Sequence, residues 1–337
     1  MRDRVPGSRV RWWLLLGGNR NTVTMILVVG VFAAIVLAGA VAPAALRAGL
    51  AAGDPLETVF QALLTAIITG VTLVVSINQV VLSQELGAVG DQRERMAGAV
   101  TFREDVAEAA DLPAAPPDPA SFLQAIVDLT HHRAEAFGEA VEDAPESVAD
   151  RVRTYVDSVT GNAAAVSDRL GDAQFGTFAA LQAALDYNYS WKIYEGRRLR
   201  REHGDALDES AVTALDDLLD ALQFFGPARE HVKTLYFQWE LINLSRAMLY
   251  AAVPALVVTT SGVLYAQGLA TIQGTVFGVE SLVIVVAAMV TVAVWPFLVL
   301  GATVLRIATV AKRTLSIGPF ILRETDRSEE LEWEQGG

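Results

Sequence analysis

Apolar residues crowd into four windows of this chain, and in one window they share the helix with a regular line of polar residues. The windows are Thr22 to Ala42, Val59 to Ser83, Ala247 to Leu269 and Ser281 to Leu305. Each passes the test of about 20 predominantly apolar residues for a hydrocarbon core of about 30 Å. Each is therefore predicted to be a transmembrane helix. Pro254 and Pro296 fall inside the third and fourth, where proline removes a helix hydrogen bond and tends to kink the chain. The polar line lies in "QALLTAIITGVTLVVSINQVVLSQELG", at Gln61, Thr65, Thr69, Thr72, Ser76, Gln79 and Ser83. At roughly 100° per residue these side chains share about 80° of arc, and Gly87 and Gly90 continue it beyond the window.

Two readings of the stripe stand. Small and hydroxylated residues are common where membrane helices pack, so the stripe can be a helix contact. It can equally be a water-facing wall, one copy from each subunit of a ring. Serine and threonine are cheap in such a helix, because they bond back to the preceding turn. Asn78 and Gln79 are not, since an unpaired amide in hydrocarbon costs roughly 2–7 kcal/mol.

Between the second and third windows the period changes to that of soluble helices, and no run alternates like a strand. One helix is predicted to continue the second span unbroken through "QELGAVGDQRERMAGAVTFREDVAEAA" to the proline cluster "LPAAPPDPA", Leu112 to Ala120. Further helices are expected near 120–143, 146–170, 173–203 and 208–225, with a last segment from Pro227 to Arg246 leading into the third span. The fold class expected is an all-α integral membrane protein with four transmembrane helices and an all-α cytoplasmic bundle inserted between spans two and three. Its parts are an N-terminal segment, 1–21, with an interfacial anchor at Trp12 and Trp13; a transmembrane hairpin, 22–83; a helical domain, 84–246; a second hairpin, 247–305; and a tail, 306–337.

Basic residues set the orientation. Arg2, Arg4, Arg9, Arg11 and Arg20 precede the first span, and Arg306, Lys312, Arg313, Arg323 and Arg327 follow the fourth. Arg93, Arg95, Arg103, Arg229, Lys233 and Arg246 lie near the ends of the central segment, and the two opposite loops hold only Arg47. Both termini and the central domain are expected in the cytoplasm of a multi-pass cell-membrane protein. "AGAVAPA" offers small residues of the signal-cleavage kind, but the apolar run before it is longer than a usual signal core.

Composition sharpens this picture. The 337 residues are 52% hydrophobic, with a mean hydropathy of +0.36, high for a soluble chain. There is no cysteine, hence no disulfide, thiolate metal site or cysteine nucleophile. The net charge is −13, and the only lysines are Lys192, Lys233 and Lys312. Residues 84–246 carry 29 acidic and 15 basic side chains, so nearly all the negative charge sits there. Nucleic-acid binders carry a basic face instead, and no nucleic-acid partner is expected.

Few residues carry chemistry. His131 and Glu135 in "HHRAE" stand one helical turn apart, but a zinc site needs three or four ligands and a solvated helix face is the plainer reading. Arg197, Arg198, Arg200 and Arg201 in "YEGRRLRREH" are candidates for an anion or a lipid head group, or for salt bridges with nearby acids. The aromatic clusters "YNYSWKIY" and "LYFQWE" suit helix cores or a membrane interface. The spans hold no ionisable group in their central parts, which disfavours pumps and ion-coupled transporters. No phosphate-binding loop, nucleophile elbow, zinc-protease helix or dinucleotide fingerprint occurs. No enzyme activity, catalytic residue, metal or cofactor is expected.

The order of two spans, helical cytoplasmic domain and two more spans resembles the bestrophin family of pentameric anion channels and, less closely, connexins and innexins. The likeness is one of layout. Bestrophins line the neck with aromatic and branched apolar residues, where this chain has Thr65, Thr69, Thr72 and Ser76, and no acidic calcium clasp follows span four. The acidic, lysine-poor composition and "SINQVVLSQELGAVGDQRERM" resemble haloarchaeal membrane proteins of unassigned function. The resulting expectation is a homo-oligomeric channel in the bilayer, passing inorganic ions, with Gln61, Thr65, Thr69, Thr72, Ser76, Gln79 and Ser83 lining the pore. Glu85, Asp91, Arg93, Glu94 and Arg95 are candidates for its inner mouth. The alternative is a membrane-anchored scaffold or sensor whose acidic domain binds a partner.

Overall fold

The structure is a computed structural model that describes residues 13–41, 54–85, 88–141, 144–173, 178–269 and 271–314. The arginines ahead of Trp13, Arg47 with its loop, Gly87 and the tail beyond Thr314 lie outside the described residues. The helices are α1 (Arg20–Val41), α2 (Asp54–Glu85), α3 (Val89–Ala109), α4 (Pro119–Ala140), α5 (Glu146–Gly171), α6 (Phe178–Asp186), α7 (Tyr189–His203), α8 (Glu209–Leu264), α9 (Ala266–Leu269) and α10 (Ser281–Thr314). The strands among the described residues are a two-residue pair, Thr275–Val276 with Val279–Glu280. Phe277 and Gly278 turn between them, both at positive φ, the backbone twist that suits a tight hairpin.

The chain divides into two compact units, one containing Ala88–Phe237 and the other drawn from Ser8–Gly87 and Gln238–Val310. In the first, α4 and α5 each place an apolar residue every three or four positions on one face. Leu123, Ile126, Ala134 and Phe137 meet Val152, Val159, Ala163 and Val166, all at or near zero exposure. Asp118 caps α4 by accepting from the backbone N–H groups of Ala120 and Ser121, both at 3.0 Å. The proline loop before it is fastened by Arg103, whose guanidinium donates to the carbonyls of Ala115 and Pro116.

Two helix boundaries depart from expectation. The single helix expected over 173–203 is two, because the chain breaks at Tyr187 and Asn188. Asn162 on α5 takes up the backbone groups released there: its amide donates to the Asp186 carbonyl and its oxygen accepts from the Asn188 N–H, each at 3.3 Å. Buried Asp186 pairs with Arg169 at 2.6 Å. Conversely, the helices expected over 208–225 and from Pro227 onward are one 56-residue helix, α8, which runs on from the first unit into the second. Pro227 loses one backbone bond, but Phe225, Ala228 and Val232 stay buried in the core on either side of it, and that burial carries the helix through.

The helix expected to run unbroken from span two is interrupted. α2 ends at Glu85, α3 starts at Val89, and Ala88 is extended at φ −59° and ψ 147°. Gly87 and Gly90 flank this point, and each glycine costs a helix about 1 kcal/mol relative to alanine.

In the second unit, α2 packs through Leu56, Phe60, Ile67 and Val74. Phe60 meets Leu282 and Val286 with Val263 alongside; Ile67 meets Ala252 and Ala255; Val74 meets Leu244 and Met248. The rising numbers on α2 therefore match falling numbers on α8 and rising numbers on α10. α2 runs antiparallel to the first and parallel to the second. Glycines mark the close approaches. A Cβ on Gly262 would fall 2.5 Å from the Phe60 ring, and one on Gly39 would fall 2.5 Å from Val283.

Candidate functional site: the polar stripe of α2

The packed face of α2 is its apolar one, at positions 56, 60, 67 and 74. At about 100° per residue the polar stripe lies about 180° away from it. All seven stripe residues, Gln61, Thr65, Thr69, Thr72, Ser76, Gln79 and Ser83, are exposed on the protomer. Among the described residues the stripe is thus not a contact between helices of one chain. Exposed Ile68 and Val75 flank it on one side and Leu73 and Val80 on the other.

The hydroxyls of the stripe bond to their own helix. Thr65 donates to the Gln61 carbonyl at 3.1 Å, Thr69 to that of Thr65 at 2.9 Å, and Thr72 to that of Ile68 at 2.9 Å. Ser76 donates to the Thr72 carbonyl at 2.9 Å and Ser83 to that of Val80 at 2.7 Å. Each proton is satisfied, and each oxygen keeps lone pairs directed outward to accept further bonds. Gln61 donates to the Glu57 carboxylate at 3.4 Å. The Gln79 amide, exposed on the same line, has no such internal partner among the described residues. Asn78 sits on the opposite side of the helix and is half-buried.

The inner-mouth candidates Asp91, Arg93, Glu94 and Arg95 fall in the first turns of α3, where every residue from Val89 to Thr101 is exposed. Asp91 and Arg95 stand one turn apart on one face of that helix with Glu94 beside them, and Arg93 lies on the other side. The side chain of Glu85 lies outside the described residues.

The arginine cluster on α7 is dispersed. Arg198 pairs with Glu202 at 2.8 Å and Arg200 with Asp216, and the two point to opposite sides of the helix. Arg197 and Arg201 are exposed. His131 has contacts at both ring nitrogens, Glu135 at 3.3 Å and the Thr160 carbonyl at 3.3 Å. Among the described residues no group of three or more His, Asp or Glu is placed to hold a metal ion.

One polar cluster was invisible in the sequence. Arg306 is 6% exposed, donates to the Gly18 carbonyl and lies 3.6 Å from Glu240. Arg20 donates to the carbonyls of Ala302 and Gly18, both at 2.9 Å. These residues come from the start of α1 and the turn before it, the middle of α8 and the C-terminal part of α10. In the sequence each reads only as a charge flanking a span.

Fold and site together define a predominantly helical protein with four helices long and apolar enough to cross a membrane and a polar line exposed along one of them. The chain belongs to the Family of unknown function (DUF7972), whose model matches residues 1–335. No curated protein and no solved structure matches it.

Proposed function

We propose that this chain is the subunit of a homo-oligomeric membrane channel whose lumen is lined by the polar stripe of α2. The observation that carries this reading is the exposure of all seven stripe residues opposite the face of α2 that packs on α8 and α10. Lipid on that line would strand the Gln79 amide in hydrocarbon at roughly 2–7 kcal/mol. A ring of copies turns the same line toward water, and the exposed apolar flanks Ile68, Val75, Leu73 and Val80 then meet neighbouring subunits. The likeness in layout to bestrophins agrees with such a ring. Both termini and the unit around α4 to α7 lie in the cytoplasm on this reading, as the flanking basic residues require, and the helices of that unit form a vestibule. A lumen of hydroxyls selects weakly among ions, so charge rings at the inner mouth, from Asp91, Glu94, Arg93 and Arg95, set any preference.

The purified chain in planar bilayers should pass current, and Thr72→Trp should cut it several-fold. Because the chain has no native cysteine, thiols placed singly at 65, 69, 72 and 76 give a clean second readout. They should react with a charged methanethiosulfonate while thiols at 67, 71 and 74 stay silent. A monomer in native mass spectra, with no current, ends the channel reading. The bare first turns of α3, with Val89, Met96 and Val100 all exposed, favour the alternative of an anchored scaffold whose partner covers that helix.

A further inference from the structure

A cavity of about 440 Å³ opens among α1, α8 and α10, within the roughly 300–1,000 Å³ of small-molecule sites. Its lining changes character in the same direction along all three helices. On α1, Arg20, Asn21 and Thr24 give way to Met25; on α8, Glu240 and Asn243 give way to Ala247, Ala251 and Pro254; on α10, Thr303 gives way to Val299 and Trp295. One end therefore offers guanidinium and amide donors beside a carboxylate, and the other is apolar. The cavity opens sideways, since Met25 and Tyr250 on its lining are 53% and 71% exposed.

The polar end lies where α1 begins and α8 enters its apolar stretch, which on the membrane reading above is the cytoplasmic interface. The apolar part from Ala247 to Pro254 is about 10 Å long at 1.5 Å per residue, against about 15 Å for one leaflet of a 30 Å core. A groove with a polar lip of Arg20, Asn21 and Asn243 around the Glu240 carboxylate, an apolar depth of leaflet scale and a lateral opening has the chemistry of a phospholipid, whose head group carries both acceptors and donors, and not of a water-soluble ligand.

We propose that this cavity holds one phospholipid of the cytoplasmic leaflet, its phosphate at Arg20, Asn21 and Asn243 and one acyl chain over Met25, Ala251 and Trp295. Glu240 accepts from the hydroxyl or ammonium of the head group. The proposal rests on the membrane reading, and its test separates the two.

The chain is placed in nanodiscs containing phosphatidylglycerol with a diazirine on one acyl chain, irradiated and digested. Adducts at Met25, Ala251 and Trp295 should exceed those at Val253 and Val257, exposed on α8 but outside the cavity, by fivefold or more. Ala247→Phe, which fills the groove without touching the arginine contacts, should abolish that excess. The same diazirine on diacylglycerol, which lacks the phosphate, should label the cavity several-fold less, and Arg20→Gln should erase the difference between the two lipids. Even labelling of cavity and outer face, or equal labelling by both lipids, overturns the site. So does a dry cavity with inter-subunit crosslinks from thiols placed at 250 and 295, which would mean that a second copy fills it. A chain stripped from membranes by alkaline carbonate fails the membrane reading instead.

Discussion

Gly262→Ala tests the packing that turns the stripe of α2 outward. The new methyl would sit 2.5, 2.6 and 2.8 Å from three carbons of the Phe60 ring, where ordinary carbon contacts lie at about 3.5–4.0 Å. Phe60 has no exposure and is hemmed by Leu282 and Val286, so its ring has nowhere to retreat. α8 and α2 must therefore separate by about 1 Å, and overpacking of this kind costs about 1–3 kcal/mol. The gain in helix propensity from glycine to alanine, about 1 kcal/mol, opposes it, and the net loss should be about 0–2 kcal/mol, about 1–3 kcal/mol worse than a substitution that gains the propensity alone. Gly30→Ala is the matched control, since its methyl would meet nothing within 4 Å and should be neutral or slightly favourable. The assay is reversible unfolding in mixed micelles by dodecyl sulfate, followed by helical circular dichroism. Phe60→Leu should be destabilising alone and should partly rescue Gly262→Ala, giving a double-mutant coupling of about 1 kcal/mol or more. If Gly262→Ala behaves like Gly30→Ala, α8 does not meet α2 at Phe60 and the outward orientation of the stripe loses its basis.

The hydroxyl of Thr291 is buried on α10 with no hydrogen-bond partner among the described residues. Thr291→Val keeps its shape and removes that cost, and the same dodecyl sulfate titration should show stabilisation of about 1 kcal/mol. Asp118→Ala deletes the cap of α4 and should cost about 0.5–2 kcal/mol, with hydrogen exchange rising first at Ala120 and Ser121. Burial pushes the phenols of Tyr155 and Tyr187 well above their ordinary range. A raised folded pKa in an acid means their contribution is complete below the unfolded value near 10 and falls away as pH rises above it. Ultraviolet titration should therefore show both phenols ionising only with unfolding at alkaline pH, and Tyr187→Phe should shift that transition upward.

Much of the helical frame was legible because its signals are local. Apolar runs of bilayer length and three-to-four spacing are written in consecutive residues, and α1, α2, α4, α5 and α10 fall within a few positions of where that spacing puts them, α10 continuing past its window to Thr314. The departures arise where tertiary partners outvote local signals. Asn188 stands at the N-cap of α7, a residue type that suits a helix start, but it is a weak signal alone; the partner that satisfies the broken backbone, Asn162, is on α5. Pro227 announces a break that burial on both sides overrides. The cavity among α1, α8 and α10 was wholly illegible, because its lining is drawn from three helices, the first of them more than two hundred residues before the other two.

The stripe stands apart from both cases. Its spacing was plain in the sequence, but spacing alone left open whether it joined helices of one chain or faced outward. The protomer removes the first of these, because Leu56, Phe60, Ile67 and Val74 already take up the packing face of α2 and the polar line is opposite. The hydroxyls, moreover, bond to carbonyls of their own helix, so the fold of one chain gains little from having them there. Valine or leucine would pack against lipid as well and bring no amide like that of Gln79 to be satisfied. A repeated polar choice that a single subunit does not need is best accounted for by what surrounds the subunit. On the channel reading proposed above, water held within a ring of copies would be that surrounding and would satisfy every group on the line at once.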